Sequence, residues 1–299
     1  MCRDVALASP VLASELLRRA EALTSINTTD YGSFWQRCLA EAESIKGIAE
    51  TWVEETRLAD VGLLDIGKRP ASAHRSSEDA AHLGDMLVGI VSALYGQLYV
   101  IGNKKLPGSI HDVRYHEGDD GQELGTGSTE LNWHVEDGTH SVRPDWVILY
   151  CLRGDPRIVT RVARLVDFDL SMMELEAALT EPVTLSLDTS FNTSKRAAKQ
   201  VRTLTVEAGR LQLILDPAFT ECSSDAARRV VRSIVAQCES HMLEFTLREG
   251  QLLIFNNRRT AHWRGAFDPQ GGSSRWLKRG LVTEHADECA WIAPGVVAL

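Results

Sequence analysis

Apolar residues recur every three or four positions over much of the first third of the chain, a spacing that predicts amphipathic helices. The segments with this spacing are 9–24, 33–56 and 76–99. Ser9 followed by Pro10 is typical of a helix start, because serine caps free N–H groups and proline is tolerated in the first turn. Residues 60–75 hold glycine and proline without periodicity and are predicted to form a loop. The N-terminal third is therefore expected to be mainly helical.

From residue 98 the pattern changes to short runs of branched and aromatic residues separated by glycine, proline and aspartate, which predicts β-strands. The runs are LYVIG (98–102), SIHDVRYH (109–116), WVILYCL (146–152), RIVTRVARL (157–165), PVTLSL (182–187), RTLTVEAG (202–209), LQLILD (211–216) and QLLIF (251–255). One long helix is predicted to interrupt them at about 221–245. This part is expected to be a predominantly antiparallel β region.

The domain organisation follows from these two patterns. The 299 residues contain no internal repeat, low-complexity tract or linker, so we expect a single domain, 1–299. Residues 1–97 would be mainly helical support, and 98–285 the β core with the helix at about 221–245 inserted. The predicted fold class is α+β.

Composition, charge and cysteine spacing exclude several classes of protein. Hydrophobic residues make up 44% of the chain, and no window approaches the roughly 18 to 20 apolar residues of a membrane span. Asp4, Glu15 and Arg18 interrupt any signal-peptide core, which indicates a cytoplasmic protein. The six cysteines are scattered without a CxxC pair and are expected to be reduced thiols. The net charge of −9 argues against binding to nucleic acid.

The stretch WHVEDGTH, residues 133–140, is the first candidate for chemistry. On an extended strand, His134 and Glu136 would point to the same face while Val135 packs behind them. Such a triplet also arises by chance, so a solvated acidic turn is the alternative for this pair alone.

A second segment, which begins with GQLLIFNNRRTAHWRG at residue 250, supports a metal site. His262 is predicted just beyond the strand QLLIF, after which a Gly-rich hairpin returns the chain through Arg275 and Arg279. Two histidines and one carboxylate suit non-haem Fe(II). A downstream arginine can bind a dicarboxylate through two parallel hydrogen bonds. The alternative for Arg279 is a surface ion pair.

Five motifs stand in a fixed order along the chain. They are His134-Val135-Glu136, Arg143-Pro144-Asp145, Leu149-Tyr150-Cys151-Leu152-Arg153, Asn257-Arg258-Arg259-Thr260-Ala261-His262-Trp263-Arg264 and Arg275-Trp276-Leu277-Lys278-Arg279. In this order and spacing the chain resembles the clavaminate synthase-like family of Fe(II)/2-oxoglutarate-dependent oxygenases, which includes hydroxylases of free arginine and asparagine. The resemblance extends over about residues 85–283. It implies a double-stranded β-helix, or jelly-roll, core with flanking helices that are mainly N-terminal.

The resemblance also implies a catalytic site and its cofactors. His134, Glu136 and His262 would bind Fe(II), leaving positions for the cosubstrate 2-oxoglutarate and for O2. The far carboxylate of 2-oxoglutarate would pair with Arg279, assisted by Arg275. Thr160 resembles the hydroxyl residue that such enzymes use beside that arginine, and its alternative is an ordinary strand threonine.

Substrate binding is implied at three positions. Asp216 matches an aspartate that helps the acidic metal ligand, here Glu136, to hold the amine or basic side chain of the substrate; an Asp-Pro turn is the alternative. His111 stands where relatives carry a glutamine that contacts the amino-acid backbone, and this departure leaves that contact open. Trp263, directly after the distal histidine, is expected to narrow or repack the entrance.

The predicted function is hydroxylation of an unactivated C–H bond of an amino acid or an amino-acid-derived small molecule. Arginine or a related basic amino acid is the most concrete candidate, within the biosynthesis of a specialised metabolite such as an antibiotic. Desaturation, epoxidation and cyclisation are alternatives that share the chemistry. A zinc hydrolase and a non-catalytic jelly-roll binding protein are the alternatives from other classes. Whether the substrate is free or tethered to a carrier protein stays open.

Overall fold

The computed structural model describes residues 4–23, 26–67, 77–102, 108–120, 124–187, 191, 198–268 and 275–298. Its helices are α1 (Pro10–Ala22), α2 (Tyr31–Ala59), α3 (Ser77–Tyr95), α4 (Met172–Thr180) and α5 (Asp225–Ser240). The predicted start of α1 is confirmed, since the Ser9 hydroxyl accepts a hydrogen bond from the Leu12 N–H at 3.1 Å and Pro10 occupies the first turn. Ser76, the first residue of the third predicted helix, lies outside the described residues. Within these ranges, no helix combines the length and apolar composition that crossing a membrane requires.

Eighteen strands follow one another along the described chain. They are β1 (Ala6–Leu7), β2 (Val61–Asp65), β3 (Gln97–Ile101), β4 (Ile110–Arg114), β5 (Leu131–His134), β6 (Trp146–Arg153), β7 (Thr160–Arg164), β8 (Pro182–Ser186), β9 (Ala198–Arg202), β10 (Leu204–Glu207), β11 (Arg210–Leu213), β12 (Thr220–Glu221), β13 (Met242–Phe245), β14 (Gln251–Asn256), β15 (Thr260–Arg264), β16 (Trp276–Thr283), β17 (Trp291–Ala293) and β18 (Val296–Val297).

Two sheets position the site. The major sheet has the order β1-β2-β14-β6-β16-β3-β18-β17, with β4 also paired to β16, and the minor sheet has the order β13-β7-β15-β5. Every pair in these two sheets is antiparallel except β1 with β2 and β3 with β18, which are parallel. The predicted antiparallel character is confirmed. A three-stranded sheet, β12-β8-β9, and the hairpin β10-β11 complete the described strands.

Alternate residues of β6 contribute to two different hydrophobic cores. Ile148 and Tyr150 pack with α1, α2 and α3, whereas Val147 and Leu149 lie between the major and minor sheets. Because both faces of β6 are buried, its sequence is a nearly continuous apolar run rather than an alternating one.

The opposite face of the minor sheet is covered by the two later helices. Ala163 on β7 and Ala261 on β15 share a core with Val230 and Ile234 of α5. The molecule therefore has four layers, in the order helices, major sheet, minor sheet, helices. The predicted mixture of helix and sheet is confirmed.

The predicted loop at 60–75 is wrong in its first part. Val61–Asp65 forms β2, which pairs with β14 on one side and β1 on the other. The stretch is short and its partners lie elsewhere in the sequence, so no local pattern distinguishes it from a loop. Gly62 has a packing role, since a Cβ there would lie 2.5 Å from the Thr56 hydroxyl oxygen. Residues 68–75 lie outside the described residues.

The predicted helix at about 221–245 is too long. It ends at Ser240, and Met242–Phe245 forms β13, paired with β7. The apolar positions in MLEF fit the spacing of either a helix or a strand. The segment forms a strand because it pairs with β7. Likewise, the third predicted helix ends at Tyr95, and Gln97–Ile101 forms β3.

A second helix also interrupts the strands, contrary to the prediction of one. It is α4, which begins with a capping box formed by Ser171 and Glu174. The pattern of serine followed three residues later by glutamate could have indicated this helix from the sequence.

Asp60 joins α2 to β2 in a left-handed conformation, with φ of 60°, and is 1% exposed. Its carboxylate accepts a hydrogen bond from Asn256 at 3.0 Å and lies 3.1 Å from Nε of Arg259. Burial nevertheless raises its pKa to about 6. Since the folded-state pKa lies above that of an unfolded aspartate, this group favours folding most at acidic pH, and its contribution is lost as the pH rises through about 6.

The stability of the protein relative to Asp60→Asn should therefore depend on pH. Between about pH 4.5 and about pH 7.5, the free energy of unfolding of the wild type should fall by on the order of 2 kcal/mol relative to the variant. Urea unfolding at the two pH values measures this. Asp65→Asn, at the other end of β2 where the side chain is 45% exposed, is the matched control. A difference that stays constant with pH would mean that Asp60 titrates normally in the fold.

Candidate metal centre

Two neighbouring strands bring the candidate histidines together. His134 is the last residue of β5, His262 is the middle residue of β15, and the two are direct cross-strand partners. Their ring centroids are 4.0 Å apart. As predicted, His262 follows the strand QLLIF, which is part of β14, but the short run TAHWR forms a further strand between β7 and β5 that was not predicted. Its alternation of polar and apolar residues is typical of a strand and could have indicated it.

Glu136 reaches the histidines from a turn rather than from the extended strand that the sequence suggests. The backbone leaves the strand at Val135, whose N–H donates to the Leu215 carbonyl at 2.8 Å, and Asp137 has a φ of 53°. One donor atom from each of the three side chains, His134, Glu136 and His262, nonetheless lies within 4.8 Å of the others. The predicted triad is therefore assembled in space.

The surroundings of the two imidazoles suit metal binding. His134 Nδ1 lies 2.6 Å from the Asn132 carbonyl oxygen, which can only accept, so Nδ1 donates and Nε2 is the nitrogen that would ligate a metal. Burial lowers the pKa of His262 well below its usual value, and the neighbouring His134 and Arg279 lower it further. Both rings can thus donate a lone pair. Two imidazoles and one carboxylate are the donor set that suits Fe(II).

Arg275 lies on one side of the triad with Thr160. Its Nη2 donates to the Thr160 hydroxyl at 3.1 Å. Within the described ranges, no carboxylate forms an ion pair with this guanidinium. Burial lowers the pKa of Arg275 to about 10, so the group stays charged at neutral pH. A cation beside a hydroxyl donor is a site for an anion.

Arg264 places a second cation near Arg275. It is the cross-strand partner of Thr160, and its Nη1 donates to the Gly127 carbonyl at 2.7 Å. Burial and the nearby charge of Arg275 together lower the pKa of Arg264 to about 10. Arg264 has no predicted role, although it stands two residues after His262 and therefore on the same face of β15.

Arg279 lies on the other side of the triad. Its Nη1 is 2.9 and 3.0 Å from the two carboxylate oxygens of Glu136, and its Nη2 donates to Nδ1 of His111 at 3.3 Å. His111 is 1% exposed and is the cross-strand partner of Arg279. The sequence prediction grouped Thr160 with Arg279, whereas the Thr160 hydroxyl is hydrogen-bonded to Arg275.

A cavity of about 160 Å³ joins these groups. Every candidate site residue except His111 lines it, and Asp216 lies in its wall together with Asp119 and Phe219. Trp263 also contributes to the wall. Its indole N–H donates to Glu130 at 2.7 Å, and the Arg161 guanidinium lies 4.2 Å from the ring centroid.

The Arg143-Pro144-Asp145 motif supports the site without lining the cavity. Arg143 is 3% exposed and donates to the Leu213 carbonyl at 2.8 Å, and burial lowers its pKa to about 9. Asp145 accepts a hydrogen bond from Nε of Arg258 at 2.8 Å. These contacts fix the chain between Glu136 and β6.

Comparison with known proteins agrees with the motifs. The family model for taurine catabolism dioxygenase TauD, TfdA family, matches residues 181–281. L-asparagine oxygenase from Streptomyces coelicolor is 32% identical over 161 residues, which cover 52% of this chain and 48% of that protein. L-ornithine/L-arginine 3-hydroxylase from Catenulispora acidiphila is 27% identical over 206 residues, covering 59% and 60%. The chain spans about half the length of the curated relatives it matches.

The solved structures extend the likeness to the whole fold. Asparagine oxygenase in complex with Fe(II), 3-hydroxyasparagine and succinate superposes with a TM-score of 0.83 at 21% identity, covering 99% of this chain and 100% of that one. The resemblance to Fe(II)/2-oxoglutarate-dependent oxygenases that the motifs indicate is thus confirmed, and the fold is shared over the full length.

Proposed function

We propose that the protein is an Fe(II)/2-oxoglutarate-dependent oxygenase that hydroxylates an amino acid, and that its two facing sheets form a double-stranded β-helix. The observation that carries this proposal is the presence, in one cavity, of the His134/Glu136/His262 triad and the half-buried Arg275, which has no ion-paired carboxylate among the described residues. His134, Glu136 and His262 would bind the iron. With 2-oxoglutarate and O2, bound Fe(II) would supply the oxidising chemistry that side chains lack.

The geometry favours Arg275, rather than Arg279, as the partner of the 2-oxoglutarate far carboxylate. Arg264 stands two residues from His262, and two residues span about 6.8 Å along a strand. Thr160 lies directly across from Arg264 on β7, and Arg275 donates a hydrogen bond to Thr160. A five-carbon chain is about 5 Å long from end to end, from its bond lengths, so it would fit between this anion site and the metal. Arg279 lies on the other side of the triad, where it contacts Glu136 and His111.

Arg279 would instead bind the carboxylate of the amino-acid substrate, with His111 holding the guanidinium in place. Glu136 would accept a hydrogen bond from the substrate amine. Asp216 would bind a cationic side chain, and Asp119 adds a second carboxylate to the wall. Arginine or a related basic amino acid fits this arrangement of charge, and the relative named for ornithine and arginine supports that class.

The Arg275 site distinguishes this proposal from its rivals. A zinc hydrolase could use the same three donors, but it would leave Arg275 and Thr160 without a purpose. A non-catalytic binding protein would need neither the three metal donors nor the Arg275 site. Desaturation, epoxidation and cyclisation share every feature described and are alternatives for the fate of the substrate.

We further propose that 1–299 is one domain, since α1, α2 and α3 share a core with β6 and β14 of the major sheet. The cytoplasmic location stays a prediction. Whether the substrate is free or tethered to a carrier protein stays open.

The test is anaerobic reconstitution with Fe(II) and 2-oxoglutarate, followed by aeration with a panel of amino acids. A weak visible charge-transfer band before aeration, and succinate formation that rises with one amino acid, are expected. Product mass then separates hydroxylation from desaturation. No band at saturating iron and 2-oxoglutarate would overturn the assignment and favour the zinc site.

A further inference from the structure

Asn257 is a fully buried polar residue in the turn between β14 and β15, and its side-chain hydrogen bonds within the described part of the chain all go to backbone groups. Its Oδ1 accepts a hydrogen bond from the Glu136 N–H at 2.8 Å. Its Nδ2 donates to the carbonyl oxygens of Glu136 at 2.9 Å and of Pro144 at 3.0 Å. One carboxamide therefore satisfies both backbone polar groups of the acidic metal-site residue.

The Glu136 backbone needs such a partner because it has left the sheet. In a strand, both peptide groups of a residue would pair with a neighbouring strand, and a buried group without a partner costs about 1–3 kcal/mol. The two-point contact of Asn257 replaces that strand pairing, and it fixes the direction in which the Glu136 side chain leaves the backbone.

The rest of the turn ties the same two segments together. Arg258 donates to Asp145 at 2.8 Å and to the Arg143 carbonyl at 2.8 Å. Asn256, the last residue of β14, donates to Asp60 at 3.0 Å. Since the turn leads directly into β15, it links the strand that carries His262 to the loop that carries Glu136.

We infer that Asn257 is a positioning residue that pre-organises the metal site, holding the Glu136 carboxylate at the two histidines before any metal arrives. This role rests on the proposed function, because it presumes a metal at the triad. Pre-organised ligands bind a metal more tightly, since less ordering remains to be done on binding. Residues that orient metal ligands typically contribute about 10–100-fold to metal affinity or activity.

The test is calorimetric titration of the full-length protein with Mn(II), a redox-stable probe for the Fe(II) site. Asn257→Ala should raise the Kd for Mn(II) by about 10–100-fold. Asn256→Ala, at the adjacent last residue of β14, removes side-chain hydrogen bonds with Asp60 and with the Arg258 N–H but none with Glu136. It is the matched control and should change the Kd by less than about threefold. Asn257→Asp keeps an acceptor for the Glu136 N–H but loses both donors. Its Kd for Mn(II) should lie between those of the two alanine variants.

The outcomes separate this role from the proposed function. A wild-type chain that does not bind Mn(II) would overturn both. Wild-type binding with an unchanged Kd in Asn257→Ala would overturn the positioning role alone, even if the variant melts at a lower temperature.

Hydrogen exchange provides a test that needs no variant, which matters if Asn257→Ala does not fold. In the metal-free wild type, the Glu136 amide should already be protected, because it donates to Asn257. Rapid exchange that becomes slow only after Mn(II) is added would show that metal, not Asn257, orders the loop, and would overturn the inference.

Discussion

Replacing Glu136 with alanine should abolish amino-acid-dependent succinate formation. The variant loses one of three metal donors, and it also leaves the Arg279 guanidinium, 2.9 Å from Glu136 in the native chain, without its carboxylate in a buried site. Both changes weaken binding of a divalent cation, because a negative charge is removed while a positive charge stays. Succinate quantification and Mn(II) titration measure the two effects separately.

The matched control is Glu244→Ala. Glu244 is also a carboxylate paired with an arginine, Arg161 at 2.8 Å, but its side chain is 53% exposed. Succinate formation should stay within about twofold of the wild type in this variant, as expected for surface substitutions. Turnover by Glu136→Ala at a rate near that of the wild type would mean that the metal, if bound, lies elsewhere.

Replacing Arg275 with alanine should raise the KM for 2-oxoglutarate by about 100-fold, which corresponds to about 2.7 kcal/mol. The physical reason is the loss of the positive charge that, with Thr160, would hold the far carboxylate. The KM for the amino acid should change far less, because that molecule would bind on the Arg279 side of the triad. Steady-state kinetics with each substrate varied in turn measure both constants.

Arg279→Ala provides the reciprocal comparison. It should raise the KM for the amino acid while leaving the KM for 2-oxoglutarate within about threefold. The reverse result, with 2-oxoglutarate affected most by loss of Arg279, would restore the assignment that the sequence alone implied. Equal effects on both constants would contradict the separation of the cavity into two anion sites.

The sequence was sufficient to select three donor residues that the fold brings together, but not to predict the route by which they meet. His134 and Glu136 were grouped by a strand periodicity that does not apply, since Glu136 lies in a turn. Their grouping with His262 depends on the pairing of β5 with β15, which is a tertiary contact. Donor chemistry can be read from residue types, whereas strand pairing requires the whole fold.

The different roles proposed for Arg275 and Arg279 also depend on tertiary contacts that the sequence does not reveal. Arg275 and Arg279 both follow the distal histidine, and both line the cavity. What separates them is the identity of their neighbours, Thr160 for one and Glu136 for the other, and neither neighbour is local in sequence. The roles of Asn257 and of the strand Val61–Asp65 were missed for this reason too, because their partners come from distant segments.

With iron bound at the triad as proposed, the pairing of His134 with His262 would also link metal supply to the lifetime of the protein. The donors converge only when β5 and β15 are joined, so the folded chain would bind iron far more tightly than the unfolded chain. At a free iron concentration 100-fold above the Kd, such binding would add about 2.7 kcal/mol to the free energy of unfolding. Cells short of iron would then lose the enzyme through proteolysis as well as its activity, so its abundance would follow the iron supply without any change in its synthesis.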